Sequence, residues 1–406
     1  MSEQMLSAHL SPEQRKASLR KYPAVPEICV VTGGTGFVGA RLVEMLVERG
    51  AKKVRCLDIV PPPPNAWIHP RIEYVVGDVC DAATLDKLVA GADCVWHNAA
   101  AVGPFHPKKL YFKVNYEGSL NVLRACKKAG VRKLVMSSSP STRFDGSDVD
   151  GLTEAQMPPL PQRRYLQTYA ETKAMGEKAV TDACCSELLT CAVAPHQVYG
   201  PRDNLFLPNL LEAAGTGRLR IFGKGKNRIC FTHVDNYAHG LIIAERALVD
   251  MSSPAAGQFY IVTDAETHPH KEGYLIFWET LDEAAVAMGF KSLWKKTHLP
   301  LWLLWSLAYV CELIGWLMGI TLKLNRFNVK VIIMHRWFDV SAAKHDLGFE
   351  PIVPFDDGWK DTLEWFKRNW LPTFDPHASI TGLSTKTQDK IDVQAAGTGR
   401  AAKKNK

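Results

Sequence analysis

The stretch Val30-Val31-Thr32-Gly33-Gly34-Thr35-Gly36-Phe37-Val38-Gly39 decides the fold. The apolar run from Ile28 to Val31 reads as a buried strand, and Arg41-Leu42-Val43-Glu44-Met45-Leu46 has helical periodicity, so the glycines fall on a strand-to-helix turn. A dinucleotide pyrophosphate binds at such a turn, because the unpaired first-turn amides and the helix dipole both favour negative charge. Gly33 permits the tight turn, Gly36 lets the backbone approach phosphate, and Gly39 lets the helix pack on the strand. Thr35, Phe37 and Val38 belong to the same loop and join the candidate cofactor-binding residues.

Lys53 to Leu57 fits a second parallel strand that ends in Asp58, where an acidic residue can accept both ribose hydroxyls. That carboxylate would repel the extra phosphate of NADP, and Ile59-Val60-Pro61 offers no arginine to compensate, so the expected cofactor is NAD. Strand candidates at Ile72 to Val76 and Asp93 to Trp96 run into Asp78-Val79 and Asn98-Ala99-Ala100. In an open parallel sheet the ligand lies across strand carboxyl ends at the switch point, which places Asp78 at the adenine and the small Ala99 and Ala100 at the adenosine ribose.

Leu134-Val135-Met136 reads as a fifth strand delivering Ser137-Ser138-Ser139 to the same edge, with Tyr169 and Lys173 one helical turn apart beyond it. A phenol with its ordinary pKa near ~10 is a poor base, but a lysine ammonium and a positive nicotinamide beside it favour the phenolate. Tyr169 could then take a proton from an alcohol while a serine hydroxyl holds the substrate oxygen. Asn115, on the helix before the fifth strand, is a candidate for holding a water that passes protons to Lys173.

With these motifs in place the chain resembles the extended short-chain dehydrogenase/reductases. Within them it is similar to the 3β-hydroxysteroid dehydrogenase branch, and most of all to the sterol-4α-carboxylate 3-dehydrogenases (decarboxylating). The likeness rests on residues 32–39, on Ser137-Ser138-Ser139-Pro140-Ser141, on Tyr169-Ala170-Glu171-Thr172-Lys173, on Pro195 to Asp203 and on Phe231 to Asn236, and it runs from about Pro26 to about Trp370. It implies Tyr169 as proton acceptor, Lys173 as its partner and a ribose ligand, and Ser139 as the substrate-orienting hydroxyl, with Ser138 a substitute. It also implies Pro195 and Val198 beside the nicotinamide. Ala194, where relatives carry arginine, and Pro140 after the serines depart from the pattern.

The implied activity is oxidation of the 3β-hydroxyl of a 4α-carboxysterol, with decarboxylation at C4, in sterol biosynthesis. The alternatives are a 3β-hydroxysteroid dehydrogenase/isomerase, another reductase of a lipophilic ketone, and a non-catalytic NAD-sensing scaffold. No metal is required by this chemistry. The resemblance implies a homodimer and contact with other enzymes of sterol C4 demethylation.

With 406 residues, 46% of them apolar, the chain can bury a large core, and its strand and helix signals alternate as one α/β unit. The expected class is a Rossmann-type doubly wound parallel sheet with a smaller C-terminal substrate lobe. The expected division is a flexible arm over 1–25 without a secretory pattern, an NAD-binding core over 26–200, an interleaved lobe over 201–372 and a disordered tail over 373–406. Ten cysteines without metal-type spacing suit a reducing compartment. The net charge of +7 suits an anionic membrane surface or acidic substrate, and nothing resembles a nucleic-acid module. Lys224, Lys226 and Arg228 read first as a solvated basic loop; a sterol carboxylate at this loop or at Arg202 is the sharper alternative.

Leu299 to Leu322 is the one long greasy run, interrupted by Glu312 and carrying Trp302, Trp305 and Trp316. Basic residues flank both ends (Lys295, Lys296, Lys323, Arg326), and a segment resembling the close of the catalytic fold follows, so a monotopic or re-entrant insertion is expected rather than a span. Lys403-Lys404-Asn405-Lys406 resembles a dilysine retrieval signal, which points to the endoplasmic reticulum membrane with the catalytic part facing the cytosol.

Overall fold

The structure is a computed structural model that describes residues 25–64, 66–103, 106–318, 322 and 324–376. The expected arm up to residue 24, the tail from residue 377 with Lys403 and Lys404, and Lys323 lie outside the described residues.

The glycine-rich stretch folds as strand, turn and helix. Strand β1 (Ile28–Thr32) is apolar and buried, and α1 (Phe37–Glu48) buries Leu42, Val43, Met45 and Leu46 against the sheet. Then come β2 (Lys53–Asp58), β3 (Ile72–Val76), α2 (Ala82–Val89) and β4 (Cys94–His97). Helix α3 (Gly118–Ala129), β5 (Lys133–Ser137), α4 (Thr168–Asp182) and β6 (Leu189–Pro195) continue the winding, and α5 (Val234–Ala247) leads into β7 (Phe259–Val262). All neighbours pair in parallel in a seven-stranded sheet of order β7-β6-β5-β4-β1-β2-β3. The order reverses between β1 and β4, where Val31 faces Cys56 on one side and Trp96 on the other. Ligands bind outside the strand carboxyl ends at such a switch point. One apolar layer joins α1 and α5 to one face of the sheet, and a second joins α2, α3 and α4 to the other.

The lobe is interleaved with this core. Val149–Leu152, which precedes α4, pairs with Arg336–Phe338, which follows the greasy segment, while α5 and β7, both beyond residue 200, complete the core. Arg228–Ile229 and Leu275–Ile276 finish a four-stranded lobe sheet. Beneath it Tyr199, Phe231, Phe355 and Trp359 pack as one aromatic cluster, the last two contributed by the final long helix.

The greasy run forms helix α6 (Leu301–Met318), which buries only Leu304, Ala308 and Gly315. Ten of its large apolar side chains are exposed, including Trp302 at 70% and Trp316 at 77%. A buried core helix, the alternative for this composition, would not expose them. Helix α7 (Arg326–Ile333) folds back under it, with Val329 against Leu304 and Ala308. Glu312, the acid within the run, pairs with Arg326 at 2.6 Å, and that guanidinium also covers the Tyr309 ring. Helix α8 (Phe355–Trp365) packs against the lobe.

Candidate active site

The carboxyl ends of β1, β2, β4, β5 and β6 open into one cavity of about 940 Å³ that reaches from the glycine loop to α7. At its core end Gly33 adopts φ +68, and a Cβ there would meet Ala99 at 2.9 Å. A Cβ at Gly39 would meet the Gly33 carbonyl at 2.1 Å, so only glycine lets α1 sit this close to its loop. Helix α1 is capped by Gly36, which has no side chain to satisfy the first-turn amides, and those amides face the cavity end where an anion would sit. Asp58 accepts from the backbone N–H of Thr35 at 3.1 Å and of Ile59 at 2.8 Å, so it braces the loop as well as lining the cavity.

Asp78 lines the next stretch, accepting from Cys80 N–H at 2.9 Å and facing the Lys113 ammonium at 3.8 Å. Asn98 is the informative member of this wall. Both its side-chain amide atoms are buried without a partner, although a buried amide ordinarily finds one. A ligand offering a donor and an acceptor there would satisfy both. The capless helix start, the close glycines and the orphaned amide fit a dinucleotide.

At the middle of the cavity α4 presents Tyr169 and Lys173 one turn apart, and β5 delivers the serines. Burial pushes the Tyr169 phenol up to about 12, opposed by a hydrogen bond with Ser139, and Tyr111 packs edge-on at 6.2 Å. Burial pulls Lys173 down to about 8, while Glu177 pulls it the other way, and its ammonium donates to the Ser137 carbonyl at 2.7 Å. The two serines are distinguished by their partners. Both line the cavity, but Ser138 is buried and donates to Glu177 at 2.5 Å, whereas Ser139 lies beside Tyr169 and exchanges a hydrogen bond with Ser141 at 2.8 Å.

Gly33, Gly36, Phe37, Val38, Gly39, Asp58, Asp78, Val79, Asn98, Ala99, Ala100, Ser139, Tyr169, Lys173, Pro195 and Val198 thus share one cavity. Thr35 and Asn115 stand behind it. Asn115 sits in a π-helical turn (Phe112–Glu117), where its side-chain oxygen accepts from Ala101 N–H at 2.8 Å and its amide donates to Ala101 O and Thr172 Oγ1. These bonds clasp the Ala101 loop to α4.

The outer half of the cavity is apolar, lined by Phe144, Phe206, Phe222 and Trp278 with Phe327, Val331 and Ile332 of α7. It holds one charge. Arg336 is buried, lines the cavity, makes no ion pair among the described residues and leaves its Nε without a partner. Its nearest polar contact is His196 at 3.4 Å, a ring that burial and Arg336 itself hold well below its ordinary pKa. Burial lowers the guanidinium to about 10, so it stays charged at neutral pH. An unpaired buried cation costs several kcal/mol, and an anionic ligand would offset that cost. Sequence reasoning missed Arg336, although an arginine flanked by Trp337 and Phe338 on a short strand is a signal: the strand period of two puts Arg336 and Phe338 on the same, buried, face. The expected anion partners are otherwise occupied. Arg202 is locked bidentate on Glu44 at 2.7 and 2.9 Å, Arg228 pairs with Asp150, and Lys224 and Lys226 are exposed away from the cavity.

A doubly wound sheet with a dinucleotide-shaped glycine turn and a tyrosine, lysine and serine gathered at the switch point defines an extended short-chain dehydrogenase/reductase. Residues 30–287 match the model of the 3-beta hydroxysteroid dehydrogenase/isomerase family, and the chain belongs to that family. It is 35% identical over 364 residues to the 3beta-hydroxysteroid-dehydrogenase/decarboxylase isoform 2 of Arabidopsis thaliana, covering 83% of this chain and 62% of that protein. To the human sterol-4-alpha-carboxylate 3-dehydrogenase, decarboxylating, it is 32% identical over 378 residues, 90% of this chain and 96% of that one. Among solved structures the UDP-glucuronic acid 4-epimerase of Bacillus cereus in complex with NAD superposes with a TM-score of 0.61 at 20% identity, over 84% of this chain and 99% of that one.

Proposed function

We propose that this protein oxidises the 3β-hydroxyl of a 4α-carboxysterol to the 3-ketone with NAD and releases the C4 carboxylate as carbon dioxide. The observation that carries the reading is Arg336, a buried guanidinium without a carboxylate of its own in the apolar cavity that Tyr169 shares. Hydroxyl and carboxylate sit on adjacent ring carbons, so one pose can offer the first to Tyr169 and the second to Arg336. The names of the Arabidopsis and human relatives support the same substrate class.

NAD bound along the glycine loop supplies the acceptor for the hydride that leaves C3. Tyr169, favoured as phenolate by the Lys173 ammonium, takes the hydroxyl proton, and Ser139 holds the oxygen. The product is a β-keto acid. When the C4–carboxylate bond breaks, its electron pair moves onto the C3 oxygen as an enolate, and the protonated Tyr169 and Ser139 donate hydrogen bonds to it before C4 takes a proton. Arg336 binds and orients the carboxylate and is left behind when carbon dioxide departs. Incubation of the purified protein with NAD and a 4α-carboxysterol should produce reduced nicotinamide, and a UDP-sugar should not. Reduction with the sugar and none with the sterol would overturn the reading.

Asp58 selects NAD by meeting the ribose hydroxyls and repelling a 2′-phosphate. Asp58→Asn keeps an acceptor for the loop amides but removes the repulsion, so kcat/KM for NAD should fall by about tenfold while that for NADP rises. Steady-state kinetics with both cofactors reads this, and an unchanged ratio would count against the assignment.

Helix α6 we assign to the cytosolic face of the endoplasmic reticulum membrane, inserted from one side without crossing. A large apolar side chain left wholly in water forgoes about 1.5–3 kcal/mol, so ten of them, even partly exposed, forgo as much as or more than the 5–15 kcal/mol, roughly, that stabilises a typical domain. The ion pair with Arg326 compensates Glu312, the one acid within α6. Helix α7 lies between α6 and the cavity, a route for a sterol to arrive directly from the bilayer. Homodimerisation and contact with other C4-demethylation enzymes belong to the same proposal. Tags placed before Leu299 and after Trp370 should both be cleaved by protease on the cytosolic side of sealed microsomes; protection of one alone would show a span instead.

A further inference from the structure

We propose that Glu177 is a positioning residue of this site, whose carboxylate fixes the segment carrying Ser139 against Tyr169 and lays a counter-charge one helical turn behind Lys173. The inference rests on the catalytic reading above for its kinetic consequence, but not for its geometry.

Glu177 is 1% exposed and follows Lys173 by four residues on α4, so Tyr169, Lys173 and Glu177 descend one face of the helix. Its two oxygens take up three side chains from a single stretch between β5 and the lobe. Ser138 Oγ donates to it at 2.5 Å, Thr142 Oγ1 at 3.4 Å, and the Arg143 guanidinium pairs with it at 2.6 Å. Arg143 is itself held with its guanidinium carbon 3.5 Å from the Phe259 ring centre, and it donates to Thr142 at 2.9 Å. Ser139 lies between these anchors and caps the 3-10 turn Pro140–Arg143. With Ser138 before it and Thr142 and Arg143 after it tied to one buried carboxylate, the Ser139 hydroxyl has little freedom to leave Tyr169.

The same carboxylate acts on Lys173 through space. The other titratable groups around that ammonium are Tyr169 on its own helix, His97 from β4, which burial pushes down to about 3 and so keeps neutral, and Tyr237 from α5, which meets Ser137 at 2.7 Å. Tyr111 reaches Tyr169 from the other side. Glu177 is the anion of the set, and it opposes the burial that draws Lys173 down to about 8. Removing its charge should therefore lower the Lys173 midpoint further, and activity that needs the ammonium should fail at lower pH.

Glu177→Gln keeps the shape and an acceptor but not the charge. In the full-length protein, kcat should fall about 10- to 100-fold with KM for sterol within about twofold, and the alkaline limb of kcat should move down by about one pH unit. Lys173 titration followed by NMR of 13Cε-labelled lysine, its resonance assigned by loss in Lys173→Arg, should show the same displacement. A kcat near that of the native enzyme together with an unmoved Lys173 midpoint would overturn the proposal. If native protein fails to turn over the sterol, the reading of the reaction falls, and the NMR midpoint still decides the charge effect of Glu177. Should Glu177→Gln lose its fold, Ser138→Ala takes its place: a drop in kcat with the Lys173 midpoint unmoved supports the anchoring role, and native kcat refutes it.

Discussion

Tyr169→Phe is expected to cut kcat by about 10²–10⁴-fold, the usual contribution of a positioned general base, while NAD affinity changes little. The ring is held by packing against Tyr111, at 6.2 Å between centroids, and phenylalanine keeps that packing. What is lost is the oxygen that bonds Ser139 and faces the reacting hydroxyl. Burial, opposed by the hydrogen bond with Ser139, leaves this phenol near 12, far too high for a base at neutral pH, so its work depends on positive charge beside it. Lys173, one turn away with one donor engaged by Ser137 O, supplies part of that charge. Stopped turnover with intact binding, read from reduced nicotinamide formation and a cofactor titration, is the expected pair of results. Retained turnover would mean that another group removes the proton.

Arg336→Met is expected to divide substrates by their charge. Methionine fills much of the same volume without charge, so carboxysterol should lose about 3 kcal/mol of binding and transition-state stabilisation, about 10²-fold in kcat/KM. A 3β-hydroxysterol without the carboxylate should be used as well as before, or better, because the cavity no longer contains an unpaired cation. The ligand-free protein should be as stable as the native one or more so, since replacing a buried charge that lacks a partner removes its desolvation cost. Kinetics on the two sterols and thermal unfolding of the free protein test both halves. Equal losses on both substrates would mean that Arg336 supports the fold rather than the carboxylate.

Much of the core was legible because its signals are local. Val30 to Gly39 compresses strand, turn and helix into ten residues, and the acidic and small residues at Asp58, Asp78 and Ala99 follow strands whose carboxyl ends must converge in any parallel sheet. Tyr169 and Lys173 share a helix face by spacing alone. The distant halves of the site were harder to read. Arg336 enters the cavity only because Arg336–Phe338 pairs with Val149–Leu152 and Arg228–Ile229, contacts that no local pattern encodes. Arg202 looked available for a substrate anion, yet Glu44 meets it from α1. The hint was present in Glu44 itself, an acid that shares the buried side of that helix with Arg41 among apolar residues. Asn115 was placed on the correct stretch, but its π turn and its grip on Ala101 follow from how that stretch packs against α4. The apolar run at Leu299 to Leu322 carries one exposed helix, and the return helix α7 lies beyond it, joined to it where Glu312 meets Arg326.

The most direct test follows two products in one vessel. Purified protein given NAD and a 4α-carboxysterol labelled in the carboxyl carbon should release one labelled carbon dioxide for each nicotinamide reduced, and none when NAD is withheld. Reduced nicotinamide accumulating while the label stays on the sterol, or labelled gas appearing without NAD, would contradict the coupling of Tyr169 and Arg336 in one reaction.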